Sequence, residues 1–129
     1  MNDPISDMLA RIKNAQAVQK ETVTVPFSEI KWRIAEILKA NHYIDDIEKK
    51  GKTVKRFIAI TLKYIDGKPA IVSLRRVSKP GQRLYIQSKD LRPFKSGFGL
   101  RIISTSKGLM TNLEAKNLKL GGELICEVW

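Results

Sequence analysis

An α+β fold of two small lobes follows from three features of the sequence. Helical and strand periodicities alternate over the first 66 residues. A row of turn residues, Asp66-Gly67-Lys68-Pro69, then interrupts the chain, and the remainder reads as short strands with one short helix. A length of 129 residues suits one domain or two small ones sharing an interface, and a 43% hydrophobic share is ordinary for a packed core. The lobes are expected at residues 1–66, a helix-strand-helix-strand-strand unit, and 67–129, a strand-rich unit.

Asp3 is a helix cap and Pro4 a first helical residue; Ile5, Met8, Leu9, Ile12 and Ala15 follow at helical spacing. Glu21 to Val25 alternates like a half-buried strand that Pro26 ends. Ser28 caps a second helix with Ile30, Ile34, Ile37 and Leu38 on one face, and Asn41 stops it. Tyr43 to Glu48 and Val54 to Tyr64 read as strands around Lys50-Gly51-Lys52, with Ile58, Ile60, Leu62 and Tyr64 on one side. Beyond the boundary, Ala70 to Val77, Gln82 to Gln87 and Gly99 to Ser104 are expected strands, divided by the Lys79-Pro80-Gly81 turn and a long loop. Thr111 and Glu114 match a capping box for a helix reaching Leu118; Gly121-Gly122 stops it, and Leu124 to Trp129 closes the fold as a strand.

Charge is the first functional clue. The net formal charge is +11, and between Lys68 and Lys107 ten basic residues face the single acid Asp90, so +9 falls in that window. One-signed charge over such a length favours a polyanion, because neutralised phosphates release condensed counterions. In Ser104-Thr105-Ser106-Lys107-Gly108 three hydroxyls, a cation and a glycine stand between a strand and a helix. Hydroxyls and free N–H groups donate to phosphate, ribose and base edges; equally, such hydroxyls satisfy their own backbone. At the end of the most basic stretch, the loop reads better as a nucleic-acid contact. Alternation puts Leu84 and Ile86 in the core and Arg83, Tyr85 and Gln87 outside, where Tyr85 either stacks on a ligand or covers a barrel edge. Lys31 and Lys55 lie off the apolar faces of their elements and extend the basic surface into the first lobe.

Other classes find little support. No Walker-type order of Gly, four residues, Gly-Lys and a hydroxyl exists between Gly99 and Lys107. His42 is the single histidine, at a helix end, so a histidine metal cluster is excluded. Cys126 is expected on one face with Leu124 and Val128, as a small buried hydrophobe rather than a nucleophile. No enzyme activity and no cofactor are expected. The chain has no run of eighteen apolar residues for a membrane span, and Met1 to Lys13 lacks the pattern of a secretory signal, so a cytoplasmic location is expected.

The chain resembles the S-eight family of small-subunit ribosomal proteins, of bacterial type, over essentially its whole length. The resemblance is carried by Asp3-Pro4-Ile5, Asp7-Met8-Leu9 and Arg11-Ile12-Lys13-Asn14-Ala15. Further on it rests on Arg76-Val77-Ser78-Lys79-Pro80-Gly81, Arg83-Leu84-Tyr85, Gly97-Phe98-Gly99, Ile102 through Gly108, and Gly121-Gly122-Glu123-Leu124-Ile125-Cys126-Glu127-Val128-Trp129. It implies a primary binder of the central domain of small-subunit ribosomal RNA during platform assembly, reading an irregular helix through its Ser-Thr-Ser loop. It also implies contact with ribosomal proteins five and twelve, and for some members repression of their own operon through a messenger RNA hairpin. The candidate RNA-contacting residues are Ser104, Thr105, Ser106, Lys107 and Gly108, with Tyr85, Arg83, Lys79, Arg76, Lys55 and Lys31. Departures from the family pattern are Ala10 where Thr is frequent, Asn112 where Asp is frequent, and Arg101, an added cation on the strand entering the loop.

Overall fold

The computed structural model describes residues 3–129, which divide into two compact units: Pro4–Val72, and Ser73–Trp129 joined by Asp3. Met1 and Asn2, assigned to the first lobe from sequence, lie outside the described residues. Both lobes combine helices with antiparallel strands, as the α+β reading requires.

In the first lobe, α1 (Pro4–Ala17) buries Ile5, Met8, Leu9, Ile12 and Ala15, the predicted stripe. Strand β1 (Thr22–Pro26), helix α2 (Glu29–Ala40), β2 (Ile44–Lys50) and β3 (Phe57–Leu62) follow, and the sheet runs β1-β3-β2. Ser28 caps α2, its hydroxyl accepting from the Lys31 N–H at 3.3 Å. At the other end the Asn41 side chain donates to the Ile37 carbonyl at 2.8 Å, and His42 takes the left-handed position with φ of 65°. Ile58, Ile60 and Leu62 are buried, so the predicted inner face of β3 holds.

The chain then forms a hairpin of β4 (Tyr64–Ile65) and β5 (Lys68–Pro69), turning at Asp66 and Gly67, both with positive φ. Because Lys68–Pro69 pairs back onto Tyr64–Ile65 and the Ala70 N–H donates to Lys63, residues 67–72 stay with the first unit. The division therefore falls after Val72 rather than at Gly67.

The second lobe is built around one strand. β6 (Leu74–Arg76), β7 (Tyr85–Ile86), β8 (Leu100–Thr105), β9 (Gly108–Thr111), α3 (Asn112–Asn117) and β10 (Gly122–Val128) occur in that order. β10 pairs along one side with β8, and along the other first with β7 and then with β6. β9 extends the sheet beyond β8. The capping box of α3 is present in both directions, Glu114 N–H to Thr111 at 3.2 Å and Thr111 N–H to Glu114 at 3.0 Å. Leu91, Ile103, Met110 and Ala115 form a buried cluster, against which Ile86, Leu120 and Leu124 pack.

Four expectations change here. The segment from Ala70 to Val77 is a strand only at 74–76, and Gln82 to Gln87 only at 85–86. Residues 108–111, from the expected loop end at Gly108 to the expected helix cap at Thr111, form β9, so the Ser-Thr-Ser segment enters a hairpin rather than a strand-to-helix loop. Leu84 is not in the core: it is 42% exposed, because its N–H is taken by the Ser78 hydroxyl and its carbonyl by Leu124, outside the ladder that would dictate its side. Finally, a bulge between Leu124 and Cys126 pairs Leu124 with Ile103 and Cys126 with Ile102. Adjacent residues of β8 face opposite ways, so Cys126 shares a face with Val128 but not with Leu124.

Candidate RNA interface

The hairpin β8–β9 closes through a two-residue turn, Ser106 and Lys107, between the paired Thr105 and Gly108. The Thr105 hydroxyl donates to the Gly108 carbonyl at 2.8 Å and accepts from the Lys107 N–H at 3.1 Å. That hydroxyl is thus used inside the turn and fixes its shape. Ser106, Lys107 and Gly108 are exposed at the tip, and Ser104 is half-buried one residue below Thr105. Gly108 has φ of 105°, a conformation that side-chain-bearing residues rarely adopt.

A second group joins Ser104 through the sheet register. Glu123 on β10 stands directly opposite Ser104 on β8 and opposite Tyr85 on β7. Directly paired residues point to the same side, so Tyr85, Glu123 and Ser104 form one row across three strands. Tyr85 is 73% exposed, and Glu123 is recessed between its neighbours. The Glu123 Oε2 accepts from the Ser78 hydroxyl at 2.5 Å and from Arg83 Nη1 at 2.9 Å. Ser78 is fully buried and accepts in turn from the Leu84 N–H at 3.1 Å. Burial alone would raise the pKa of Glu123; the hydrogen bonds from Ser78 and Arg83, with the charges of Arg83 and Arg76, outweigh it and hold the carboxyl below its ordinary value. Glu123 is therefore ionised at neutral pH.

The row exists because two residues have no side chain. A Cβ on Gly122 would lie 2.1 Å from the Ser104 carbonyl oxygen, and one on Gly121 would lie 2.6 Å from that of Ile86. The pair that reads as a helix stop is also what lets β7 and β8 close on the start of β10. Glu123 itself was missed from sequence, since its role depends on this register; the Gly-Gly-Glu run was the visible trace.

The cations separate into two sets. Arg83 is half-exposed and tied to Glu123. Arg76 is a correction: its side chain is 8% exposed, with Nε on Asp3 at 3.2 Å and Nη1 on the Ile125 carbonyl at 2.8 Å, so it braces the lobe from inside. Arg75 and Arg101 both bond the buried Glu127, and Arg101 also lies over the Phe94 ring at 4.7 Å, so the added cation is held internally. By contrast, Lys79, Lys89, Arg92 and Lys107 are exposed with no ion pair among the described residues. Lys79 sits on a tight turn where its N–H and carbonyl exchange bonds with Gln82 at 3.0 and 2.9 Å.

In the first lobe, Lys55 is exposed on the connection between β2 and β3, its N–H donating to Lys52. Lys31 is a second correction. It is 5% exposed and shares the buried stripe of α2 with Ile34, Ala35 and Leu38, at helical spacing, while Ile30 turns outward. Burial lowers its pKa, opposed by the charge of Asp7 and aided by that of Arg11. A buried lysine of that kind contributes packing through its stem rather than a free surface charge.

Asn112, the departure from Asp, is buried and uses both ends of its amide: Oδ1 accepts from the Arg101 N–H at 3.1 Å, and Nδ2 donates to the Arg92 carbonyl at 2.8 Å. An ionised Asp has no donor for the second bond. Cys126 is buried, its thiol pushed up to about 12 by loss of solvent, which leaves it protonated and unreactive at neutral pH. Among the described residues no His, Cys, Asp and Glu group gathers to hold a metal, and no helix is long and apolar enough to cross a membrane.

Comparison with known proteins points one way. The family profile described as Ribosomal protein S8 matches residues 3–129. The small ribosomal subunit protein uS8 of Persephonella marina is 48% identical, covering 100% of this chain and 99% of the relative. The small ribosomal subunit protein uS8c of Phaeodactylum tricornutum is likewise 48% identical with the same coverage, and uS8 of Nitratidesulfovibrio vulgaris is 46% identical over 100% and 99%.

Replacing Gly122 with Ala should destabilise the protein by about 3 kcal/mol, the upper range for overpacking a rigid site. Gly67→Ala, where a Cβ meets nothing within 4 Å but φ is 78°, should cost only about 1 kcal/mol. Urea unfolding of both variants checks the ranking, and equal midpoints would remove close approach as the role of Gly122.

Proposed function

This chain belongs to the ribosomal protein S8 family, is a structural, non-enzymatic constituent of the small ribosomal subunit, and on that premise we propose that its second lobe binds an irregular helix of small-subunit ribosomal RNA. The observation that carries the reading is the exposed Ser106-Lys107 tip beside the row of Tyr85, Glu123 and Ser104. A regular A-form duplex hides its base edges in a deep, narrow major groove, so a distinctive contact needs a distorted site or the shallow groove with its ribose hydroxyls. A projecting two-residue turn with a hydroxyl and a glycine suits close approach to such a site. Tyr85 offers a flat surface for a base or a sugar. Lys79, Lys107 and the half-exposed Arg83 supply charge; Lys55 is a separate exposed cation of the first lobe. Arg76 and Lys31 are left out of this interface because their side chains are buried.

The finer assignments belong to the same proposal. The target is the central domain of the RNA, bound early as the platform assembles, with ribosomal proteins five and twelve as neighbours. A surface that reads one irregular stem accepts a look-alike hairpin in messenger RNA, so repression of its own operon is a second role of the same residues.

Two substitutions test the division of labour. Ser106→Ala should weaken binding to small-subunit RNA more than binding to a scrambled regular duplex; equal losses in a filter-binding titration would sink it. Lys79→Ala should weaken both alike and make the salt dependence shallower by about 0.7–0.9 log units of affinity per log unit of salt, one phosphate contact. An unchanged slope would remove Lys79 from the contact set.

A further inference from the structure

A carboxylate in the middle of a surface read as RNA-binding needs its own explanation, since RNA is a polyanion. Glu123 is not a counter-charge alone. Both of its bonds to Ser78 and Arg83 reach Oε2. Oε1 has no hydrogen-bond partner among the described residues and is not sealed from solvent. It is an ionised acceptor, recessed between Tyr85 and Ser104, which stand roughly 10 Å apart, two inter-strand spacings. Its position is rigid: Gly121 and Gly122 clamp the strands on either side, and the buried Ser78 holds the carboxylate from behind.

Resting on the RNA reading above, we propose that Glu123 accepts a hydrogen bond from a ribose 2′-hydroxyl and so makes this surface select RNA over DNA. A phosphate oxygen has no proton to give and is repelled by the carboxylate, so the groups able to approach Oε1 are O–H and N–H donors. A cytosine amino group is the competing donor for a single carboxylate acceptor, and sensitivity to 2′-deoxy substitution separates it from a ribose hydroxyl. One acceptor matches one hydroxyl. The exposed Tyr85 ring beside it packs against the sugar that carries that hydroxyl, and the shallow groove of an RNA helix presents such hydroxyls in rows. Deoxyribose leaves Oε1 unpaired against a polyanion, which costs affinity on that side only.

The test uses the full chain with small-subunit ribosomal RNA and a regular DNA duplex. Glu123→Met keeps the side-chain length and removes the acceptor; it should bind the RNA about tenfold more weakly, the size of one charge-assisted hydrogen bond, and the DNA no more weakly than the parent protein does. Glu123→Gln, uncharged but still able to hydrogen-bond, should fall between. As a measurement free of any folding defect, the unaltered protein should select against 2′-deoxy substitution at one or a few positions in randomly substituted small-subunit RNA, and one of those positions should become neutral with Glu123→Met. An unchanged ratio of RNA to DNA affinity in the folded Met variant, or indifference of the unaltered protein to deoxy substitution everywhere, would overturn the inference. Failure of the unaltered protein to prefer small-subunit RNA over a scrambled RNA duplex would instead strike at the RNA reading itself.

Discussion

The second lobe depends on how closely β7 and β8 can approach the first residues of β10. With Gly121 and Gly122 in place, backbone carbonyls of Ile86 and Ser104 occupy the space where side chains would otherwise stand. The consequence is a register in which an exposed aromatic, a recessed carboxylate and a hydroxyl line up across three strands. The same closure aligns β8 with the Leu91, Ile103, Met110 and Ala115 cluster under α3, so the hairpin tip projects from a packed base. Core and candidate surface share one cause. Thr105 finishes the arrangement by bonding both to Gly108 and to Lys107, which converts a flexible tip into a fixed one.

Electrostatics divides the charge that composition reports as a single excess. Asp3, Glu123 and Glu127, all outside the basic window from Lys68 to Lys107, engage four of its arginines. Those arginines serve geometry: Arg76 and Arg101 tie strands together, and Arg83 steadies Glu123. The exposed, unpaired cations are mostly lysines, which act as compact point charges on flexible stems. The proposed interface therefore assigns non-selective attraction and selective contact to different residues. Generic affinity is proposed to rest with Lys79 and Lys107, and discrimination with groups fixed by the sheet.

Much of this was legible in the sequence where a local rule operates. The stripe of α1, the Ser28 cap, the Asn41 stop, the Asp66-Gly67 turn and the Thr111–Glu114 capping box each depend on residues within a few positions of one another, and each stands in the structure. What failed depended on distant partners. Four-residue β9 carries a glycine and has no alternation of its own; pairing with β8 makes it a strand. The bulge at Ile125 reverses Leu124 against Cys126, an offset that strict alternation cannot anticipate. Lys31 illustrates the limit for single side chains, because polarity argued for the surface while helical spacing placed it on the buried stripe. Of the candidate site, the hairpin tip and Tyr85 followed from composition and motif, whereas Glu123 required the three-strand register.

The central claim is that a fixed surface of the second lobe engages a distorted stem of small-subunit RNA. Hydroxyl-radical footprinting of the purified protein on naked small-subunit RNA tests it most directly. A compact set of protected riboses flanking unpaired or non-standard nucleotides in one helix is the predicted result. Protection spread evenly along regular duplex, or none at protein concentrations that saturate binding, would contradict the account.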